Sequence, residues 1–244
     1  MGGLFDSHLH LPPDSEALWS EWAAEGLEGA LAAAAARAEW PALIAARTRH
    51  TSLRVALGVH PWHIAAAGPL EETVAALADA PADAIGEIGL DSRHAGAPDS
   101  AAQYAWCRAQ CALAVERGLP VVLHIVGDWE GLFRLLKEFP GLTGLVHGFA
   151  GNAFLAQEIL RKTQLHLSFG TALLRPNSPL AALTATLPTE RLLVESDFPH
   201  GRLPDGAAAS PTALCRAVLH RMAEVRGTSP EALAETLASC LAAE

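Results

Sequence analysis

Ala84-Ile85-Gly86-Glu87-Ile88-Gly89-Leu90-Asp91 reads as a strand of a buried parallel sheet with a carboxylate set into it at Glu87. A parallel strand covered on both faces should be almost continuously apolar, so Glu87 needs an explanation other than packing. Comparable runs recur on either side. Toward the N-terminus they are residues 3–8, a weaker Leu27–Ala33, and residues 54–60. Toward the C-terminus they are Val121–Val126 and residues 142–149, 165–169 and 191–197. Alanine-rich helical stretches lie between them. Trp40–Arg49 is one, and a second opens at Asp99-Ser100 as N-cap and closes at Gly118. Pro188 stops another just before the eighth run.

Eight strands alternating with helices are the pattern of repeated βα units. The reading is an α/β chain folded as a single-domain (β/α)8 TIM-type barrel over residues 1–244, with its site at the C-terminal end of the strands. The weak second strand leaves an open doubly wound sheet as the alternative. A length of 244 residues, half of them hydrophobic, suits one barrel. No Gly/Ser linker or low-complexity tail marks a second domain.

The formal net charge is −10, and Lys137 and Lys162 are the only lysines. That argues against an extended basic surface, though a local pocket for phosphate remains compatible. Cys107, Cys111, Cys215 and Cys240 are too few for a disulfide framework in a chain this long. Cys107 and Cys111, four apart in a helical pattern, are expected to pack as small hydrophobes. The first chemical motif begins at Asp6, where a cleaved leader would remove it. The alanine run at 30–36 is too short to span a bilayer. The expectation is a cytoplasmic protein with no membrane association and no obligate protein partner.

Polar residues stand at or near the C-terminal ends of five of the strands: His8 and His10, Glu87, His124, His147 and Asp197. In barrels that end faces the catalytic mouth. His8 and His10, two apart in an extended segment, point to the same side. A single buried histidine is more often a hydrogen-bonded core residue. Six such groups together would leave donors and charges unpaired unless they held a cation. Four imidazoles and two carboxylates suit one or two divalent metal ions, with Mg, Mn and Zn all compatible. Glu87 could bridge two of them, and Asp197 is placed to act as the base or to orient the attacking water.

These segments resemble the TatD family of metal-dependent hydrolases, within the amidohydrolase-like barrels. The resemblance runs from Asp6 to Pro199. It rests on Phe5-Asp6-Ser7-His8-Leu9-His10, Gly58-Val59-His60-Pro61, the Ala84–Asp91 run, Leu119-Pro120-Val121-Val122-Leu123-His124, Val146-His147-Gly148-Phe149-Ala150-Gly151 and Leu193-Val194-Glu195-Ser196-Asp197-Phe198-Pro199. It implies His8, His10, Glu87, His124, His147 and Asp197 as metal ligands, with Glu87 bridging and Asp197 catalytic. It also implies a phosphodiesterase of deoxyribonuclease type, for which single-stranded DNA is a possible substrate. The chain departs from the family pattern at Val126, where the family usually has arginine. It departs again at His200-Gly201-Arg202-Leu203-Pro204, where the family has a basic stretch. The family's C-terminal asparagine-containing signature is also absent.

His60, Arg93 and Arg202 are the candidate substrate contacts, with Arg175 a weaker one. Trp19, Trp22 and Trp40 are expected to pack the outer layer. Two readings compete with nucleic-acid hydrolysis. One keeps the metal site and hydrolyses a small amide, lactone or ester. The other is a non-catalytic binding protein on the same fold.

Overall fold

In a computed structural model describing residues 3–12 and 15–242, the strands are β1 (Leu4–Leu9), β2 (Leu27–Ala33), β3 (Leu53–Leu57), β4 (Ala84–Asp91), β5 (Val121–Val126), β6 (Gly144–Val146), β7 (His166–Phe169) and β8 (Leu192–Val194). They hydrogen-bond in chain order, β1 through β8. The segment after β8 then returns to β1: Asp197 N–H donates to the His8 carbonyl at 3.1 Å, and His10 N–H to the Phe198 carbonyl at 2.7 Å. The architecture is the expected (β/α)8 barrel.

The helices are α1 (Ser15–Ala24), α2 (Trp40–Arg49), α3 (Leu70–Ala78), α4 (Ser100–Arg117), α5 (Trp129–Glu138), α6 (Ala153–Lys162), α7 (Pro179–Thr186), α8 (Pro211–Arg226) and α9 (Pro230–Ala242). Among the described residues, no helix is long and apolar enough to cross a membrane.

Three strands and two helices fall on the bounds read from sequence. The sixth and eighth strands are shorter, three residues each. Their C-terminal ends are pulled out of regular pairing by left-handed backbone, at Gly148 (φ 54°) and Asp197 (φ 49°). Asp is among the few residues with a side chain that tolerate this region.

The chain divides into two compact units. The first comprises Met1–Leu31, Gly148–Glu158 and His166–Glu244; the second comprises Ala32–His147 and Ile159–Leu165. In the first, β7 pairs with β8 in parallel, and Trp22 packs edge-on against Phe198 at 5.2 Å. Thr212 Oγ1–H donates to the Trp22 carbonyl at 3.1 Å, fixing α8 to the end of α1.

In the second unit β3 to β6 pair in parallel. β4 is buried along its whole length, and its two glycines let it lie close against β5. A Cβ at Gly86 would sit 2.5 Å from the Val122 Cβ, and one at Gly89 only 1.8 Å from the His124 carbonyl oxygen. The β4–β5 register slips between Ile85 and Ile88 and resumes with Gly89 beside His124. The extra residue on β4 is a bulge, which re-aims the side chain it carries. The slip sets Gly86 and Glu87 together opposite Val122.

Helix α4 holds the C-terminal ends of β3 and β4. Asp99 caps it, its Oδ1 accepting from Ala102 N–H at 2.8 Å, and Gly118 ends it in the left-handed region at φ 64°. Gln103 and Gln110, seven apart, share its inner face. Gln103 accepts from Asp91 N–H at 2.7 Å and donates to the Asp91 carbonyl at 3.0 Å. Gln110 accepts from Val59 N–H at 2.8 Å and donates to the Val59 carbonyl at 3.3 Å. Each bond contributes about 1 kcal/mol net, and each side chain satisfies two buried backbone groups that no strand reaches.

Cys107, Cys111 and Cys215 are buried free thiols, as read for the α4 pair. A hydrogen bond with Cys111, and then burial, hold the Cys107 thiol well above its ordinary range. Burial does the same for Cys215, beside Asp6. Iodoacetamide at pH 8 should therefore label Cys107 and Cys215 at least about a thousandfold more slowly than a free thiol, at the rate of unfolding. Peptide mapping checks this, and labelling within minutes in the native protein would contradict the packing.

Candidate metal and catalytic site

In the second unit the strand-end positions converge on one carboxylate oxygen. Glu87 Oε1 lies 2.8 Å from His147 Nε2, 3.0 Å from His124 Nδ1 and 3.5 Å from His60 Nε2. His124 Nδ1 and His147 Nε2 are themselves 3.0 Å apart. Glu87 Oε1, His124 Nδ1 and His147 Nε2 thus form a triangle with edges near 3 Å. Donors on adjacent octahedral positions about 2.1 Å from a cation lie about 3.0 Å apart. The donor set and its spacing fit a divalent ion.

The outer nitrogen of His124 settles its orientation. Nε2 lies 3.3 Å from Asp91 Oδ2, and a carboxylate there favours the proton on Nε2, leaving the Nδ1 lone pair facing Glu87 and His147. Asp91 is buried and gathers three further donors. They are Trp62 Nε1–H at 2.9 Å, Arg93 N–H at 2.8 Å and His94 N–H at 3.1 Å. Burial acts to raise the Asp91 pKa, but these bonds and His124 outweigh it and hold the carboxyl below its usual range. Asp91→Ala should weaken metal binding about 10- to 100-fold, the usual cost of losing a carboxylate behind a ligating histidine. Titration calorimetry with Mn checks this, and an unchanged affinity would remove Asp91 from the site.

His60 behaves differently from its neighbours. Burial pushes its pKa down to about 3, with Glu87 pulling the other way and His124, His147 and His63 adding to the fall. It is therefore a neutral imidazole at pH 7. Its Nδ1 accepts from Trp62 N–H at 3.2 Å, so the ring proton sits on Nε2 and faces Glu87. A protonated nitrogen donates and does not ligate.

In the first unit His8, His10 and Asp197 form a second donor group, all their ligand atoms within 4.8 Å of one another. Asp197 Oδ1 lies 3.8 Å from His8 Nε2 and 4.0 Å from His10 Nε2. The turn that carries Asp197 is tied to β1 from below. Asp6 Oδ1 accepts from Ser196 N–H at 3.0 Å and His8 N–H at 3.2 Å, and its Oδ2 accepts from Ser196 Oγ–H at 2.5 Å. Burial raises Asp6 to about 7 against the pull of these bonds. Beyond the aspartate, His200 N–H and Gly201 N–H both donate to the Asp197 carbonyl, at 2.8 and 2.9 Å. The turn is tight: a Cβ at Gly201 would lie 2.0 Å from the Ser196 carbonyl oxygen.

The other candidates are placed as follows. Arg93 is exposed and its side chain runs across Gly127, where a Cβ would sit 3.3 Å from its Nε. Arg202 folds onto its own turn, its Nη1–H donating to the Pro199 and Gly201 carbonyls. Arg175 lines a groove of about 750 Å³ in the first unit, with Ala150 to Ala153 and α7. His200 is exposed, its ring 5.6 Å from His10. Trp19, Trp22 and Trp40 are buried as expected. Sequence reasoning gave no role to Asp91 or Trp62. A second carboxylate, closing the Ala84–Asp91 run after Glu87, was the available signal for the first.

Residues 5–242 match the family of TatD related DNases. The chain belongs to that family. It is a metal-dependent hydrolase of TatD type. The metal-dependent hydrolase YabD of Bacillus subtilis (strain 168) is 30% identical over 208 residues, covering 80% of each chain. The 3'-5' ssDNA/RNA exonuclease TatD of Enterobacter lignolyticus (strain SCF1) is 32% identical over 195 residues, 77% of this chain and 74% of that one. The crystal structure of the TatD homologue YjjV from Escherichia coli K12 superposes with a TM-score of 0.87 at 28% identity, over 97% of this chain and 95% of that one. That homologue thus shares the barrel over nearly the whole of both chains.

Proposed function

We propose that this chain hydrolyses phosphodiester bonds in single-stranded nucleic acid, using one or two divalent metal ions held by His8, His10, Glu87, His124, His147 and Asp197. The triangle of Glu87, His124 and His147 donor atoms carries the reading. Relatives named as ssDNA/RNA exonucleases support the substrate class. Mg and Mn suit the carboxylate share of the donors, and Zn suits the imidazoles.

A bound divalent ion supplies a lowered pKa for water and neutralises charge on the phosphoryl oxygens. Asp197 accepts the proton of the attacking water at Oδ1, held in position by its own strained turn. His60 directs its Nε2–H at Glu87 Oε1 and steadies that carboxylate beside the substrate. Asp91 keeps His124 turned with Nδ1 inward. Release of mononucleotides from a single-stranded oligodeoxynucleotide with added Mg or Mn, abolished by chelator and falling steeply with salt, is the expected result. Metal-containing protein that releases none would remove the reading.

One observation favours hydrolysis of a small ester or amide instead. Arg202 spends its guanidinium on backbone carbonyls, in a chain of net charge −10. Turnover of such esters with little salt dependence, and none of DNA, would select that reading.

A further inference from the structure

Among the described residues, three large apolar side chains are exposed: Trp62, Val115 and Phe154. Trp62 lies against the histidine cluster of the second unit, its ring 4.7 Å from His60 and 5.9 Å from His124. It is held rigidly. Its Nε1–H is bonded to Asp91, and His94 stacks on it at 3.9 Å with the planes 21° apart. Even so, the residue stays 41% exposed. An indole is large enough to bury itself if packing were its task, since doing so gains roughly 25 cal/mol per Å². Here a hydrogen bond fixes one edge beside the catalytic histidines and leaves apolar surface open.

The loop after β4 carries Arg93 and His94, whose backbone N–H groups both donate to the Asp91 carboxylate. One buried carboxylate thus ties together the Trp62 ring, the backbone of the Arg93–His94 loop and a histidine of the metal site. Aromatic surface next to a cation, bordering a phosphodiester centre, matches the chemistry that binds single-stranded nucleic acid. Bases stack on such rings regardless of sequence, while the cation meets the backbone.

We propose that Trp62, backed by His94, is a stacking subsite for one nucleobase of the substrate, with Arg93 taking an adjoining phosphate. This rests on the phosphodiesterase reading above and names what selects nucleic acid over other phosphodiesters. An ester without a flat ring gains nothing at this position. The net negative charge of the chain does not oppose a neutral base. The subsite also links substrate binding to the metal site through a single residue, because Asp91 holds both Trp62 and His124.

Two phosphorothioate tetramers test it on metal-loaded protein, one bearing four thymines and one with every base replaced by hydrogen. Their backbones carry equal charge and resist cleavage. The wild type should bind the thymine tetramer about tenfold more tightly, in line with one stacked base. Trp62→Ala should bring the ratio of the two affinities to about one. Trp62→Phe, which keeps a ring but not the Nε1–H, should retain most of the preference and guards against a loop disrupted by the alanine. Equal binding of both tetramers by the wild type overturns the proposal. So does a preference undiminished in Trp62→Ala, or an equal weakening of both tetramers in Trp62→Ala and Trp62→Phe. Nucleotide release from ordinary single-stranded DNA is assayed separately. A base preference without release defeats the hydrolysis reading and leaves the subsite, while release without preference does the reverse.

Discussion

Glu87→Gln is expected to reduce nucleotide release by about a thousandfold or more and to strip the protein of metal. The carboxylate oxygen Oε1 stands within 3.5 Å of three imidazole nitrogens, and only 3% of the side chain is exposed. One carboxylate oxygen beside the His124 and His147 ligand nitrogens makes a donor group whose affinity for a dication depends on that carboxylate. The carboxamide is isosteric but neutral, and its NH2 group would turn a donor toward lone pairs meant for the cation. Two measurements separate loss of metal from loss of fold. Metal content after purification should fall, and the rise in Tm that Mn gives the wild type should vanish. Saturation at a hundred times Kd stabilises by about 2.7 kcal/mol, a shift that is readily seen. Circular dichroism should be unchanged. A variant that keeps its metal and its rate would remove Glu87 from the centre of the site.

Asp197→Asn should lower kcat by about 10²- to 10⁴-fold, the range for loss of a positioned general base. Asparagine is the informative replacement because it tolerates the left-handed backbone at φ 49°. The turn of Ser196 to Gly201 should therefore survive. If the aspartate is the proton acceptor, KM should change little and the acid limb of the kcat profile against pH should disappear. Mn affinity at the Glu87, His124 and His147 donors should stay within a few fold, in contrast to Glu87→Gln. A drop of less than tenfold in kcat would assign the proton to another group.

The ligand candidates were legible because each breaks a simple rule. Glu87 and His124 interrupt apolar strands whose bounds were read correctly, and His8 belongs to β1, with His10 just beyond it. For His147 and Asp197 the strands were read too long, and both residues lie just beyond the paired segments. Left-handed backbone at Gly148 and Asp197 ends the pairing earlier, and hydropathy carries no record of φ. The helix α4 was readable from its Asp99 cap and Gly118 stop, which are local signals. What Gln103 and Gln110 do from that helix was not readable, since it depends on which strand ends lie beneath them.

Periodicity, caps and polar interruptions are properties of neighbouring residues, so the sequence by itself determined the eight βα units and the six candidate ligands. Proton positions and side-chain partners come from residues far apart in the chain, and only the tertiary structure decided them. His60 became a donor because Trp62 N–H occupies its Nδ1. Arg202 was drawn onto carbonyls of its own turn. Asp91, read only as the end of a strand, proved to hold His124, Trp62 and the Arg93 loop together. The physical reason is that one buried carboxylate takes whatever donors folding brings within about 3 Å of it, and sequence spacing does not say which those are.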